Sequence, residues 1–526
     1  MKSPSEVIME LAAHRSRLQN LVAGKWVDGV GYRTLVNPLT GERLLEYPDT
    51  SVDDMDPFLA GLRSCPKSGL HNPFKNVGRY VMLGQVSFRA AAFLDDEEIA
   101  DYFAKLVQSV MPKSYKQAMG EVVVVRQFLK NFGGDRVRFL ARGTIDPGDH
   151  EGQQPQHFPW PYGPVMIIPP FNFPLEIPGL QLMGALYMGN RPLVKAQSKT
   201  GVVIEQFIRL LEICGLSLSD LDLIHCGGAT MERLIHFARN DVRLVQFTGS
   251  STTAEKLAQM LHGKIRIEDA GFDWKIIGPD VLLEQLDHLA WQCDQDAYAA
   301  SKQKCSAQSL LFLPDNLDGS VERFYERLRD RASRRNLADL TNGPVLTWTT
   351  DQMLDHVKRL LDIPGAKLLF GGEPLVGHRI PKCYGAIQPT AVFVPLHEIV
   401  ANSDHCKLAT TEVFGPVQVI TTYDQSNLAL VLQVCEHMEN HLTAAVVSND
   451  SVFTNHILGA TVNGTTYAGI KARTTGAPQN HWFGPCGDPR GAGIGTPEAI
   501  ILTWSAPRCI IRDVGPIDTS ATLIQS

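Results

Sequence analysis

No Cys-x-x-Cys pair occurs in this 526-residue chain, although it carries 10 cysteines. Their irregular spacing argues against a zinc ribbon or a disulfide framework and for reduced thiols in a reducing compartment. A basic excess is also missing. The 49 Lys and Arg stand against 56 Asp and Glu, a formal net charge of −7, so nucleic acid is not the expected partner. No long apolar run is uninterrupted. The most apolar stretch, 165–188, contains Pro169, Pro170, Pro174, Glu176 and Pro178, which predicts buried core and turns and no membrane span. The first twenty residues lack an apolar secretory core. They mix Lys2, Arg15 and Arg17 with Glu6 and Glu10, as an amphipathic surface helix does and an intact transit peptide does not. There is no Walker loop and no Gly-x-Ser-x-Gly nucleophile elbow. The single Gly-x-Gly-x-Gly run, 491–495, follows Asp488-Pro489-Arg490 and no strand, so it reads as a loop and not as a dinucleotide fingerprint. His437 and His441 flank Glu439 in the order His-x-Glu-x-His. That is not the metalloprotease order, and a solvated helix face without metal is expected there.

What is present has the composition of an ordinary soluble enzyme: 44% hydrophobic and 20% charged, long enough for several domains. Helical spacing of Ile99, Tyr102, Phe103, Leu106, Val107 and Val110 predicts a helix over 97–110, and a second follows over 121–132. The polar, turn-rich stretch 143–163 is a hairpin arm or a linker. Beyond it strands are expected at 164–168, 192–196, 222–226 and 243–247, alternating with helices through 203–214, 231–239 and 252–261. This order implies a parallel sheet covered by helices, which binds nucleotides at the carboxyl ends of its strands. A second alternating region spans roughly 280–480, with strands near 309–313, 368–370, 390–394, 417–421 and 443–447. After a loop at 484–499, the runs 499–504 and 509–514 read as strands with little helix around them.

Several residues carry possible chemistry, each beside a plainer reading. Phe247, Thr248, Gly249 and Ser250 close a strand and open a helix, where an anion can sit, although an ordinary turn has the same pattern. Lys195 ends a strand as a ribose or phosphate ligand or as a solvated lysine. Cys305 follows Lys302 and Lys304, whose positive field would lower its pKa toward a thiolate; most single cysteines are inert and buried. Cys293 is the next candidate nucleophile, but inside an expected helix. Glu268 suits a general base or a strand-end salt bridge. Asn172, in a proline-fixed loop, offers an amide to an oxyanion or to loop backbone. Glu412 is a ribose acceptor or an isolated acid before a turn.

Taken in order, Phe-Asn-Phe-Pro (171–174), Lys195, Phe-Thr-Gly-Ser (247–250), Glu268, Lys-Cys-Ser (304–306) and Glu-Val-Phe-Gly-Pro (412–416) resemble the aldehyde dehydrogenase superfamily. The stretches 71–75, 171–190, 268–275, 292–309 and 474–485 are most similar to its plant-type Δ1-pyrroline-5-carboxylate dehydrogenase branch. The resemblance implies an α/β fold: a Rossmann-type NAD domain (1–142 and 164–270), an α/β catalytic domain (271–483), and an oligomerisation arm with a C-terminal tail (143–163 and 484–526). It implies NAD-dependent oxidation of L-glutamate γ-semialdehyde to L-glutamate in proline catabolism, in the mitochondrial matrix, by a homo-oligomer. Cys305 is then the nucleophile, Glu268 the base and Asn172 an oxyanion donor. Pro170, Phe171, Lys195, Ser198, Phe247, Thr248, Gly249, Ser250, Glu412 and Phe414 would bind the cofactor. Ser198 stands where many NAD-preferring members carry a glutamate. Phe173, Ser306, Gly476, Ala477, Phe483 and Glu121 would hold the substrate, with Glu121 facing its α-ammonium. The alternatives are a dehydrogenase of another semialdehyde, such as succinate semialdehyde, and a catalytically silent relative with a structural role.

Overall fold

Two seven-stranded sheets organise the computed structural model, which describes residues 2–269, 271–476, 481–515, 517, 519 and 520. The first runs in spatial order Ile265–Asp269, Leu244–Gly249, Pro164–Ile168, Arg191–Ala196, Asp222–His225, Asn20–Val22 and Lys25–Val27. Its first five strands are parallel to one another, and the last two, Asn20–Val22 and Lys25–Val27, join antiparallel. Every residue of Arg191–Ala196 and of Asp222–His225 is buried, as a strand covered on both faces requires. The crossovers are the helices Glu176–Tyr187, Gly201–Ile213, Gly228–Ala238 and Ser251–Met260. Strand-to-helix turns at the carboxyl ends therefore converge on one edge of the sheet.

The second sheet runs Lys367–Phe370, Thr390–Phe393, Val417–Tyr423, Gln308–Pro314, Asp273–Ile277, Thr443–Val447 and Thr465–Ala468. All its pairs are parallel except the first. Asp273–Ile277 lies beyond what periodicity shows. It follows Ile265–Asp269 almost at once, yet belongs to the other sheet.

The helix expected over 97–110 is observed as Glu97–Val110, its first turn capped by the Asp96 carboxylate on the Glu98 and Ile99 N–H groups. The next starts earlier than its apolar spacing suggests, at Tyr115, because Ser114 caps it. Residues Pro4–Ala13 form the N-terminal helix, with Ser3 and Glu6 in a capping box and Val7 and Leu11 buried.

Residues 143–163 form a hairpin of Thr144–Ile145 and Gln153–Pro161. Ser505–Asp513 adds to it antiparallel over nine residue pairs. Here one expectation fails. The run 499–504 is not a strand but most of the helix Pro497–Trp504. Thr496 caps the Ala499 N–H, Pro497 takes the first helical position and Glu498 the first turn, and these local signals outweigh the β-branched composition. The expected histidine helix face fails as well. The helix Leu428–His437 ends at the first histidine, leaving His441 in the partly buried turn before Thr443–Val447. No helix among the described residues is long and apolar enough to cross a membrane.

Candidate active site

The chain enters position 305 through a costly turn. Ala300, Ser301 and Lys302 all have φ between 53° and 59°, the left-handed region that side chains disfavour by ~1–3 kcal/mol each. Their surroundings hold them there. The Ser301 hydroxyl donates to the Gly343 carbonyl at 3.1 Å and accepts from the Gly343 N–H at 2.7 Å. Lys302 Nζ donates to the Val417 carbonyl at 2.6 Å, and the Gln303 amide bridges Pro344 and Leu346. Opposite, a Cβ at Gly271 would stand 1.9 Å from the Cys305 carbonyl oxygen, so only glycine permits this approach.

Cys305 thereby lines two cavities at once, one of about 650 Å³ and one of about 230 Å³. The larger opens at the carboxyl ends of the first sheet's strands. Pro170, Phe171, Asn172, Lys195, Phe247, Thr248, Gly249, Ser250, Glu268, Glu412 and Phe414 all reach it. The Phe171 and Phe414 rings meet edge to face at 5.8 Å. The smaller cavity is reached by Phe173, Ser306, Gly476, Phe483 and Glu121. Ala477 lies outside the described residues. Ser198 is not brought to either cavity; its hydroxyl turns to the Cys226 carbonyl.

The electrostatics around Cys305 reverse one expectation. Lys302 is drawn to Val417 and Lys304 to the Gln295 carbonyl, and burial pushes both ammonium groups down to about 8. They therefore do not make a thiolate. Enclosure, with Glu268, Asp273 and Glu412 nearby, pushes the Cys305 thiol well above its ordinary value. Its proton has to be taken, and Glu268 stands beside it. Glu268 belongs to the Ile265–Asp269 strand and is 3% exposed. Burial pushes its carboxyl up to about 7, against the pull of the Cys305 thiol, and neither oxygen has a partner in hydrogen-bond geometry among the described residues. Cys293 is wholly buried in the helix Leu286–Tyr298, beside Lys275, and faces neither cavity.

Asn172 is clamped by its backbone. Its carbonyl accepts from Lys113 Nζ at 2.7 Å, and its side-chain amide, free of any protein partner among the described residues, faces the larger cavity. The Cys305 N–H likewise donates to no described group. Lys113 is 1% exposed and pairs with Glu121 at 2.7 Å. Glu121's other oxygen accepts from the Leu175 and Glu176 N–H groups. Both its oxygens are thus engaged and its charge is balanced by Lys113, which counts against its expected role toward a substrate ammonium. A lone lysine between Pro112 and Ser114 carries no pattern, so only the tertiary contact reveals Lys113.

Lys195 is not the solvated strand-end lysine. It is 8% exposed, burial lowers its pKa, and no ion pair or hydrogen bond holds its ammonium among the described residues. Two helix N-termini open nearby, at Gly228 and Ser251. The cap residue Gly227 has no side chain to offer, and Ser250 makes no side-chain cap bond. An unpartnered cation beside free N–H groups fits an anionic pyrophosphate. Glu412 receives the Gly271 N–H at 3.3 Å, and burial pushes its carboxyl up to about 8. The 491–495 glycine run covers the first sheet's edge. The Ala492 N–H donates to Ile267, and a Cβ at Gly493 would collide with Trp482.

The profile of the aldehyde dehydrogenase family matches residues 26–487. The chain belongs to that family. The Delta-1-pyrroline-5-carboxylate dehydrogenase 12A1, mitochondrial, of Arabidopsis thaliana is 56% identical over 505 residues, covering 96% of this chain and 90% of its own. Omega-crystallin of Enteroctopus dofleini, also similar to this aldehyde dehydrogenase family member, is 25% identical over 87% of this chain and 86% of its own. Among solved structures, aldehyde dehydrogenase 21 from Physcomitrella patens in complex with the reaction product succinate superposes with a TM-score of 0.80. It is 19% identical and covers 95% of this chain and 99% of its own, a likeness of fold.

Proposed function

We propose that this protein oxidises L-glutamate γ-semialdehyde to L-glutamate with NAD, the last oxidation of proline catabolism. The observation that carries the reading is the position of Cys305, at the junction of a cavity suited to a dinucleotide and a smaller one where Ser306, Gly476 and Glu176 stand among apolar walls that include Phe173 and Phe483. The 56% identity to a Delta-1-pyrroline-5-carboxylate dehydrogenase over nearly the whole chain supports the substrate. The complete set of Cys305, Glu268 and Asn172 favours it over a silent structural relative.

The chemistry follows from the geometry. Glu268 takes the thiol proton, and the Cys305 sulfur bonds to the aldehyde carbon. The resulting oxyanion accepts from the Asn172 amide and the Cys305 N–H, both otherwise unengaged. NAD, when bound, would supply the hydride acceptor for the passage from this adduct to a thioester. Glu268, having passed that proton to solvent, then takes one from a water whose oxygen bonds to the thioester carbon; the Cys305 thiolate leaves and is reprotonated, and the carboxylate is released. Lys195 and the openings of the helices Gly228–Ala238 and Ser251–Met260 would hold the cofactor's phosphates, and Phe171, Phe247, Glu412 and Phe414 the remainder. Ser306, Gly476 and Ala477 would anchor the substrate carboxylate, with Phe173 and Phe483 on either side of its aliphatic middle. The division at 142, 163, 270 and 483 into cofactor, arm and catalytic parts belongs to the same reading. So do a homo-oligomer and a place in the mitochondrial matrix, the Arabidopsis relative being named mitochondrial.

Absorbance of reduced nicotinamide, followed with glutamate γ-semialdehyde, succinate semialdehyde and propanal, tests the reading. The expected order of kcat/KM is the order given. A higher value for succinate semialdehyde would remove the substrate and leave the aldehyde dehydrogenase chemistry.

A further inference from the structure

With Glu121 engaged by Lys113 and by backbone, the smaller cavity still contains one carboxyl that nothing in the mechanism uses. Glu176 is the first residue of the helix Glu176–Tyr187. It reaches the same cavity as Cys305, Ser306 and Gly476. Its backbone is held by the Glu121 carboxylate, yet its own carboxyl makes no hydrogen bond or ion pair among the described residues. The charges facing it are unbalanced. Lys113 is matched one to one by Glu121, Glu268 adds a further acid from the nucleophile's side, and Lys116, which also lines the cavity, is exposed and makes no ion pair with Glu176. Burial, and then Glu121, push the Glu176 carboxyl up to about 8, with Lys113 opposing. A carboxyl in this position lacks a cation, and the unoccupied wall of the cavity is where one would arrive.

We infer that Glu176 receives the α-ammonium of the amino-acid substrate, and so selects a 2-amino semialdehyde over the same chain without its amino group. The inference rests on the proposed reaction and deepens it. One end of the substrate carries the aldehyde, which must meet Cys305. The other end carries a carboxylate and an ammonium, which require opposite partners within one small cavity. Ser306 and the Gly476 turn offer donors, and Glu176 is the acceptor left without a protein cation. An ammonium placed there converts an isolated buried acid into a paired carboxylate, an interaction that 5-oxopentanoate cannot make.

The test compares glutamate γ-semialdehyde with 5-oxopentanoate, identical except for the amino group, in the wild type and in Glu176→Gln. The wild type should prefer the amino substrate. In the variant the ratio of the two kcat/KM values should fall on the order of 10–100-fold, through KM of the amino substrate. Equal losses on both substrates would make Glu176 a structural group or a proton carrier and overturn the assignment. An unchanged ratio would overturn it too, with the proposed reaction left standing. A wild type that prefers 5-oxopentanoate would instead overturn the reaction itself. Should the amide variant fail to fold, Glu176→Asp measured in the same way should give a smaller fall in the ratio, and an unchanged ratio there counts against the assignment equally.

Discussion

At the scale of single residues, the site depends on proton placement more than on a preformed thiolate. Glu268 must be ionised to take a proton, and its carboxyl is pushed up to about 7. Turnover should therefore rise with pH through about 7 and fall below it. Glu268→Gln should remove that limb and slow thioester hydrolysis by ~10²–10⁴. Because the same carboxylate takes the Cys305 proton, stopped-flow records should also show a slower first release of reduced cofactor. An unchanged steady-state rate would remove Glu268 as the base. Lys113 acts through others, holding the Asn172 carbonyl and the Glu121 carboxylate from a position 1% exposed. Lys113→Met leaves Glu121 buried without its cation, a loss of ~3–5 kcal/mol. Urea unfolding should show a clearly lower midpoint and turnover should drop, since the Asn172 loop loses its clamp. Wild-type values for both would refute the positioning role.

At the scale of elements, the helix Leu286–Tyr298 ties the second sheet to the substrate turn. Asp296 accepts from Lys275 Nζ at 2.6 Å, from Gln292 at 2.8 Å and from the Thr474 N–H at 3.0 Å. Lys275 and Asp296 are both fully buried, so Asp296→Ala strands an ammonium and should cost ~3–5 kcal/mol. It also frees the turn bearing Gly476, so KM for the amino-acid semialdehyde should rise. Pairing it with Lys275→Met should recover much of the stability but not KM. Additive losses in that double-mutant cycle would show that the two side chains do not act as a pair.

At the scale of the whole molecule, Ser505–Asp513 lies at the outer edge of the three-stranded arm sheet, with Gln153–Pro161 inside it. Ile511 is 62% exposed there among Arg508, Arg512 and Asp513, and a strand edge left unpaired is a template for pairing with another chain. The preceding helix belongs to the body. Trp504 is buried, its carbonyl bound by Asn190 and its indole N–H by Gln181. Truncation after Trp504 should spare that packing and yield smaller species in sedimentation. An unchanged mass would place the assembly contacts elsewhere.

The sequence by itself determined the alternation of strands and helices, because buried parallel strands leave short β-branched runs and helices leave 3.6-residue spacing. Glu97–Val110 and Pro164–Ile168 were legible to the residue for that reason. The ordered motifs around Asn172, Glu268 and Cys305 were legible too: Asn172 and Cys305 lie in turns, and Glu268 lies near the end of a strand shortly before Gly271, whose backbone closely approaches Cys305. Only the tertiary structure decided the charges. Lys302 and Lys304 sit next to Cys305 in the chain yet point at carbonyls, and Glu121 is consumed by a lysine eight residues away that no motif marks. Tertiary contacts also separated Ile265–Asp269 from Asp273–Ile277 into different sheets. Adjacency in sequence sets which groups are available. Which of them meet, and which remain unpaired in a cavity, depends on burial and on partners brought from far along the chain.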